Sequence, residues 1–175
     1  LQTSNSDTSL FYYALVALWL ICMVAGFSYL VAQRLVTFDP NFTLLNSPPK
    51  HILGQLKQYQ SQPIALSIFH FFDDSCHCTK LTAEHRAAID KAAKQDGFNV
   101  VYVDIEGEEG MSDIPASPAI LITDAQSELL YVGPYATGID CSANNSLIDV
   151  VLNNYRQGFS APTKVSDAKG CYCQR

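Results

Sequence analysis

The chain has 175 residues, a hydrophobic fraction of 48% and a formal net charge of −6. That length holds one ordinary domain with some chain to spare. The acidic balance argues against a nucleic-acid partner and leaves no basic patch for anionic lipid.

Residues 1–9 are polar and read as a disordered N-terminal tail. Leu10 to Ala32 then runs without a charge, with Phe11, Tyr12 and Tyr13 near one end and Phe27 and Tyr29 near the other. Such a run is long enough for a helix to cross roughly 30 Å of hydrocarbon, and the aromatic residues suit the interfaces. Residues 10–33 are therefore expected to be a single, uncleaved anchor in a lipid bilayer. A cleaved signal peptide is the rival. It fits less well, because no basic region precedes the run and the run is too long. Cys22 within it reads as a small hydrophobe. Arg34 just beyond the span votes for a cytoplasmic C-terminal domain. Every other cysteine also lies beyond the span, which suits an oxidising compartment. The expectation adopted is a single-pass protein of the cell inner membrane with its soluble domain in the periplasm.

Leu35 to Phe38 predicts a short strand, broken at Asp39-Pro40. Ser47-Pro48-Pro49 predicts a helix start, followed by Ile52, Leu56 and Tyr59 at helical spacing. Ile64 to Phe72 is nearly all apolar or aromatic, the pattern of a strand covered on both faces. Cys76 to Asp96 predicts one helix, with Leu81, His85, Ala88, Ile89 and Ala92 on its inner stripe, an Asp90–Lys94 pair outside and Gly97 at its end. Phe98 to Ile105 predicts the next strand, and Glu106 to Asp113 an acidic loop. Ala119 to Thr123 and Glu128 to Val132 predict a hairpin. A loop from Gly133 to Asn145 contains Cys141. Leu147, Ile148, Val151, Leu152 and Tyr155 predict the last helix, stopped by Gly158. Residues 159–175 read as a flexible polar tail ending in Cys171-Tyr172-Cys173-Gln174-Arg175. The alternation of buried strands and helices implies an α/β domain of three layers around one sheet, with the hairpin as an antiparallel edge.

The chemistry gathers at Phe69 to Lys80. An apolar run ends in Asp73, Asp74 and Ser75, and Cys76-His77-Cys78 follows at once. The two thiols are expected at a strand end beside the first turn of a helix, with the Cys76 sulfur exposed there. Unpaired backbone N–H groups and the helix dipole there favour a thiolate.

Over residues 35–158 the chain resembles the thioredoxin superfamily, in particular its membrane-anchored bacterial members. The cysteine pair at a strand–helix junction is the first likeness. The second is Ile114-Pro115-Ala116-Ser117-Pro118-Ala119-Ile120, which looks like the family's cis-proline segment. Thr123-Asp124-Ala125-Gln126-Ser127-Glu128-Leu129-Leu130-Tyr131-Val132-Gly133 is similar to its following hairpin. The resemblance implies a thioredoxin-like fold with a central mixed sheet, and a substrate groove shaped by Ser117, Pro118 and His77. The departures are Cys-x-Cys for Cys-x-x-Cys, Ser75 in place of an aromatic, and His70 where the family buries a carboxylate. By that position His70 is expected to transfer the proton of the resolving thiol. Replacing it with Phe is then expected to slow resolution without unfolding the domain.

The expected function is thiol–disulfide exchange with protein thiols or disulfides as partners and no cofactor. Cys76 attacks, and Cys78 resolves the mixed disulfide. A disulfide within Cys-x-Cys would close a small, strained ring that is easily reduced. A second reading is a soft-metal protein, in which Cys76, Cys78, Cys171 and Cys173 supply four thiolates for zinc or copper, with His77 or His85 able to add a nitrogen. A third is a redox-inert interaction module. The terminal cysteines are expected either to act as a mobile arm exchanging electrons with Cys76 and Cys78, joined by Cys141, or to pair with one another or with Cys141. His85 is expected in the core and His51 in solvent.

Overall fold

The computed structural model describes residues 4–59, 64–107, 111–138 and 146–175. The chain forms two compact units, Leu1–Arg34 and Leu35–Arg175.

The first unit is one helix, α1 (Ser4–Arg34). It begins inside the stretch expected to be a disordered tail, because Ser4 to Ser9 continues the helix that the apolar run imposes. Its segment Ser9–Gln33 is long and apolar enough to cross a membrane; at 1.5 Å per residue it reaches about 37 Å. Phe11, Trp19, Phe27 and the leucines between them are all exposed. Apolar residues surround the helix instead of forming one stripe, as a lipid environment favours. A membrane anchor and a signal sequence share these properties. Cys22 in this helix is a free thiol.

The second unit opens with β1 (Val36–Thr37), α2 (Thr43–Asn46) and α3 (Pro49–Leu56). Asp39, itself buried, starts α2 by accepting the backbone N–H groups of Thr43 at 2.7 Å and Leu45 at 3.1 Å. Pro49 opens α3, where a missing N–H costs nothing. Next come β2 (Ser67–Phe72), α4 (His77–Leu81), α5 (Ala83–Gln95) and β3 (Asn99–Asp104). The expected single helix is split at Thr82, whose hydroxyl donates to the Thr79 carbonyl at 2.8 Å. The split resets the helical phase. Leu81 becomes 43% exposed, and His85, Ile89 and Ala93 form the inward row. Asp90 consequently turns toward the sheet instead of forming an outer pair.

β4 (Ala116–Ser117), β5 (Ala119–Thr123) and β6 (Leu129–Pro134) follow. Asp124 makes the β5–β6 turn by accepting the N–H groups of Gln126 and Glu128 on one carboxylate oxygen. Then come α6 (Leu147–Arg156), capped by Ser146, and the short strands β7 (Thr163–Lys164), β8 (Lys169–Gly170) and β9 (Cys173–Gln174).

The main sheet has the order β3-β2-β5-β6-β7. β2 is parallel to β3 and antiparallel to β5, β5 is antiparallel to β6, and β7 returns parallel to β6. Alternate residues feed two cores, as the strand period requires. On one face Phe69, Phe71, Leu121 and Val132 pack with Leu44 of α2, Ile52 and Leu56 of α3, and with Phe38 and Tyr172. On the other, Ile68, Ile120, Ile122 and Tyr131 pack with Ile89 and Ala93 of α5 and Ile148 and Leu152 of α6. The unit is therefore a mixed α/β structure with a five-stranded sheet covered on both sides.

The tail departs most from expectation. Ser166 and Ala168 carbonyls accept from Asp39 and Phe38, β8 pairs with β1, and β9 pairs with β4. Tyr172 is buried in the first core. The C-terminal segment is thus bound into the domain along much of its length. A polar composition concealed this, because much of the docking is backbone pairing around one buried aromatic side chain.

Candidate disulfide site

β2 delivers the chain from the core to Asp73, whose carboxylate accepts the Ser75 N–H at 2.7 Å and turns the backbone. The Cys76 N–H then donates to the Asp73 carbonyl at 3.1 Å, and Cys76 becomes the N-cap residue of α4. Cys78 lies in the first turn. His77 between them faces solvent.

Ser117 and Pro118, far along the chain, lie against this corner. Their peptide bond is cis. Cys76 Sγ is 3.8 Å from the Ser117 carbonyl oxygen, near enough to receive an S–H donor once that sulfur is reduced. Ser117 itself is buried.

The tail closes the arrangement. β9 runs antiparallel to β4 in the register Ala116 with Gln174 and Ser117 with Cys173. The Arg175 N–H donates to the Pro115 carbonyl at 3.1 Å, and its guanidinium donates to the Met111 carbonyl at 2.6 Å. On the other side of the cysteines, the Cys171 N–H donates to the Gly138 carbonyl, and the Gly138 N–H to the Lys169 carbonyl. In an extended segment, residues two apart share a face. Cys171 and Cys173 therefore point together toward Cys76 and Cys78, while Tyr172 points the opposite way. Its ring meets Phe38 edge-on at 5.2 Å, and its hydroxyl donates to the Ala136 carbonyl at 2.7 Å.

Two disulfides cross between the pairs. Cys76 bonds Cys173 with S–S 2.04 Å, and Cys78 bonds Cys171 with S–S 1.99 Å. The Cα separations of 6.0 and 5.6 Å are ordinary for disulfides. The sulfurs of Cys76, Cys78 and Cys173 all lie within 4.8 Å of one another, and Cys171 is bonded to one of them. These four side chains could hold a thiophilic metal ion if reduced.

Three expectations are corrected here. Neither Cys-x-Cys forms a disulfide within itself, because each meets the other pair face to face. The terminal cysteines are held at the site by strand pairing and need no mobile arm to reach it. The outward sulfurs belong to the tail: Cys76 and Cys78 are only 3% and 7% exposed, while Cys171 and Cys173 are half-buried. Cys141 lies outside the described residues.

His70 is fully buried on the opposite sheet face from Phe69 and Phe71. Its Nδ1 hydrogen-bonds the Tyr135 hydroxyl, and its Nε2 lies 2.8 Å from Asp90 Oδ1. Asp90 also accepts from the Tyr102 hydroxyl. The imidazole is stacked between the rings of Tyr102 and Tyr135, with centroids at 5.1 and 5.6 Å. Burial lowers the His70 pKa below its ordinary value, against the opposing pull of Asp90. Burial pushes the Asp90 carboxyl up, yet the interactions with His70 and Tyr102 and the positive charge of Lys94 outweigh it and hold the carboxyl below the usual range. Burial, then the bond to Asp90, pushes the Tyr102 phenol up to about 12. Both ring nitrogens of His70 are thus directed to Asp90 and Tyr135, and neither to a sulfur. Tyr102 and Tyr135 were not singled out from sequence, and Asp90 was expected on the outer side with Lys94. The one available signal was that a histidine in a buried strand must find polar partners.

His85 is in the core as expected, with Nε2 3.0 Å from the Ser146 hydroxyl. His51 is largely solvent-exposed, but its Nδ1 meets Asp113 at 2.6 Å.

Comparison with protein families matches residues 50–175 to a family described as a domain of unknown function, DUF6436. The match includes both Cys-x-Cys pairs and the docked tail. No curated protein and no solved structure matches the chain significantly.

Proposed function

The chain belongs to the DUF6436 family, and we propose that it is a membrane-anchored thiol–disulfide oxidoreductase of thioredoxin-like architecture. The observation that carries this reading is the meeting of two Cys-x-Cys pairs, as crossed disulfides, beside the Ser117-Pro118 segment at a strand–helix corner. The strand order β3-β2-β5-β6, with β2 feeding the cysteine helix, supports the architecture. An oxidising compartment supports the localisation, since disulfides persist on the outer side of the inner membrane and seldom in the cytoplasm.

Exposure supports the following order of events. A client thiolate meets the half-buried Cys173 before the buried Cys76. Attack on Cys173 Sγ forms a client–Cys173 disulfide and expels Cys76 as thiolate. The client's second thiolate then attacks its own sulfur in that mixed disulfide, closes the client disulfide and expels Cys173. Two electrons pass from the client dithiol to the Cys76–Cys173 bond, and the two new thiols take up the protons. The Cys78–Cys171 bond accepts a further pair of electrons in the same manner. Cys76 and Cys78 are the leaving groups beside Ser117 and Pro118, Cys171 and Cys173 receive the client, and His77 lines the solvent side. His70 is a positioning residue that ties β2 to α5, in place of the proton-transfer role expected from its place in the sequence.

The test uses the oxidised full-length chain in detergent and a dithiol peptide. Wild type is expected to oxidise the peptide, with Cys76 and Cys173 appearing as free thiols. A variant with Cys76, Cys78, Cys171 and Cys173 all replaced by Ser should react at least about tenfold more slowly, having lost both disulfides that the client reaches. Equal rates, with near-ultraviolet circular dichroism confirming that both proteins are folded, would refute the reading.

A further inference from the structure

The contacts that dock the tail do not depend on its sulfurs. Tyr172 is buried in the core beside Phe38, and its hydroxyl is bonded to Ala136. Strand pairing flanks the cysteines on both sides, at Val36 with Gly170 and at Ala116 with Gln174. Gln174 adds a side-chain bond to the Thr37 carbonyl at 2.6 Å, and Arg175 one to Met111. Breaking both disulfides therefore leaves four thiols gathered at the same corner.

We propose that the reduced chain holds one d10 metal ion, of which Zn2+ is the commonest, on Cys76, Cys78, Cys171 and Cys173. This site is independent of whether the disulfides serve a client. A tetrahedral four-thiolate zinc site has Zn–S distances near 2.3 Å, which sets sulfur–sulfur separations at about 3.8 Å. Cys76, Cys78 and Cys173 already have their sulfurs within 4.8 Å of one another. Once reduced, the two bonded pairs open to that separation, and Cys171, bonded to Cys78 but outside that cluster, closes on the other sulfurs. Soft thiolates select zinc or Cu+ over the hard cations, and the burial of Cys76 and Cys78 limits competition from water.

The balance is explicit. A thiol or phosphine reductant gives two electrons to each disulfide, and each disulfide takes up two protons. Zn2+ then displaces the protons of the thiols it binds, so uptake strengthens as pH rises. Oxidation of the four thiolates by a disulfide-bearing oxidant reverses the sequence and releases the ion. The corner is thereby occupied either by two S–S bonds or by one metal.

The full-length chain in detergent, reduced with a phosphine that is then removed, is titrated anaerobically with Co2+. The expected result is one Co2+ per chain with the visible spectrum of a tetrahedral thiolate site, displaced by equimolar Zn2+. The oxidised chain is expected to show no such spectrum. A Cys171→Ser/Cys173→Ser variant should bind roughly 100-fold more weakly, because two of the linked donors are lost. A Cys22→Ser variant should bind as wild type, since that thiol lies in the other unit. Failure of the reduced wild type to bind, binding to the oxidised chain, or undiminished binding by the double serine variant would each overturn the proposal. The Co2+ spectrum reads ligation at the sulfurs, so a variant that fails to fold is distinguished by its circular dichroism. In that case Cys173→Ser alone is measured, and undiminished binding by it overturns the proposal equally.

Discussion

At His70 a single side chain carries the polar interior of the second core. Its pKa is lowered, so the unfolded chain binds a proton more readily than the folded one as pH falls below the ordinary histidine value of 6.5. Stability attributable to His70 is therefore present above that value and declines as pH falls through it. Asp90, also lowered, changes in the same direction at more acidic pH. Thermal melts of the oxidised full chain from pH 8 to pH 5 should show a falling midpoint, and His70→Gln should flatten the slope near 6.5. A His70→Phe variant strands the buried Tyr135 hydroxyl and takes one partner from Asp90, which keeps its bond from Tyr102. Leaving one such buried group unsatisfied costs about 1–3 kcal/mol, so this variant should be destabilised in urea, contrary to the intact fold that the sequence suggests for it. A melt independent of pH in wild type would refute the assignment. The sequence marks His70 as notable by its place in an apolar strand. It conceals the partners, because Asp90 is brought round only by the break at Thr82, and Tyr135 lies 65 positions away.

The strands and helices of the sheet were legible because apolar periodicity acts locally. β5 appears where a short, wholly buried apolar run meets the Asp124 turn, and α6 ends at the expected glycine. The tail was not legible. Its three short strands are each two residues long and are stabilised by partners distant in sequence, such as Val36 and Ser117. No periodicity can accumulate over two residues. The closest packing within the tail is at Gly170. A Cβ there would stand 2.6 Å from the Tyr172 ring and 3.0 Å from the Gly138 carbonyl oxygen. Because Tyr172 is fixed in the core, Gly170→Ala should lower stability by about 1–3 kcal/mol, the usual cost of overpacking. Urea denaturation of the oxidised chain measures this, and an unchanged midpoint would mean that the ring is free to move aside. The crossed pairing was hidden for the same reason: which cysteines meet depends on the β4–β9 register and not on spacing along the chain.

For the molecule as a whole, the apolar helix and the sulfur site make linked demands on location. If α1 is a retained anchor, the full chain should stay in the membrane pellet after alkaline carbonate washing; a mature N-terminus beyond Arg34 would identify a cleaved signal instead. If the second unit faces the oxidising side, a membrane-impermeant maleimide should label Cys171 and Cys173 in intact, mildly reduced cells. Labelling only after lysis would reverse the orientation. A different consequence follows from where the two cross-links fall. They join positions 76 and 78 to 173 and 171, so every strand of the main sheet except β2 lies inside a covalently closed loop. A protease that cuts the backbone once between Cys78 and Cys171 severs the chain without separating its pieces. Only a reductant lets the fragments part, and the integrity of the whole molecule then depends on the electron supply around it.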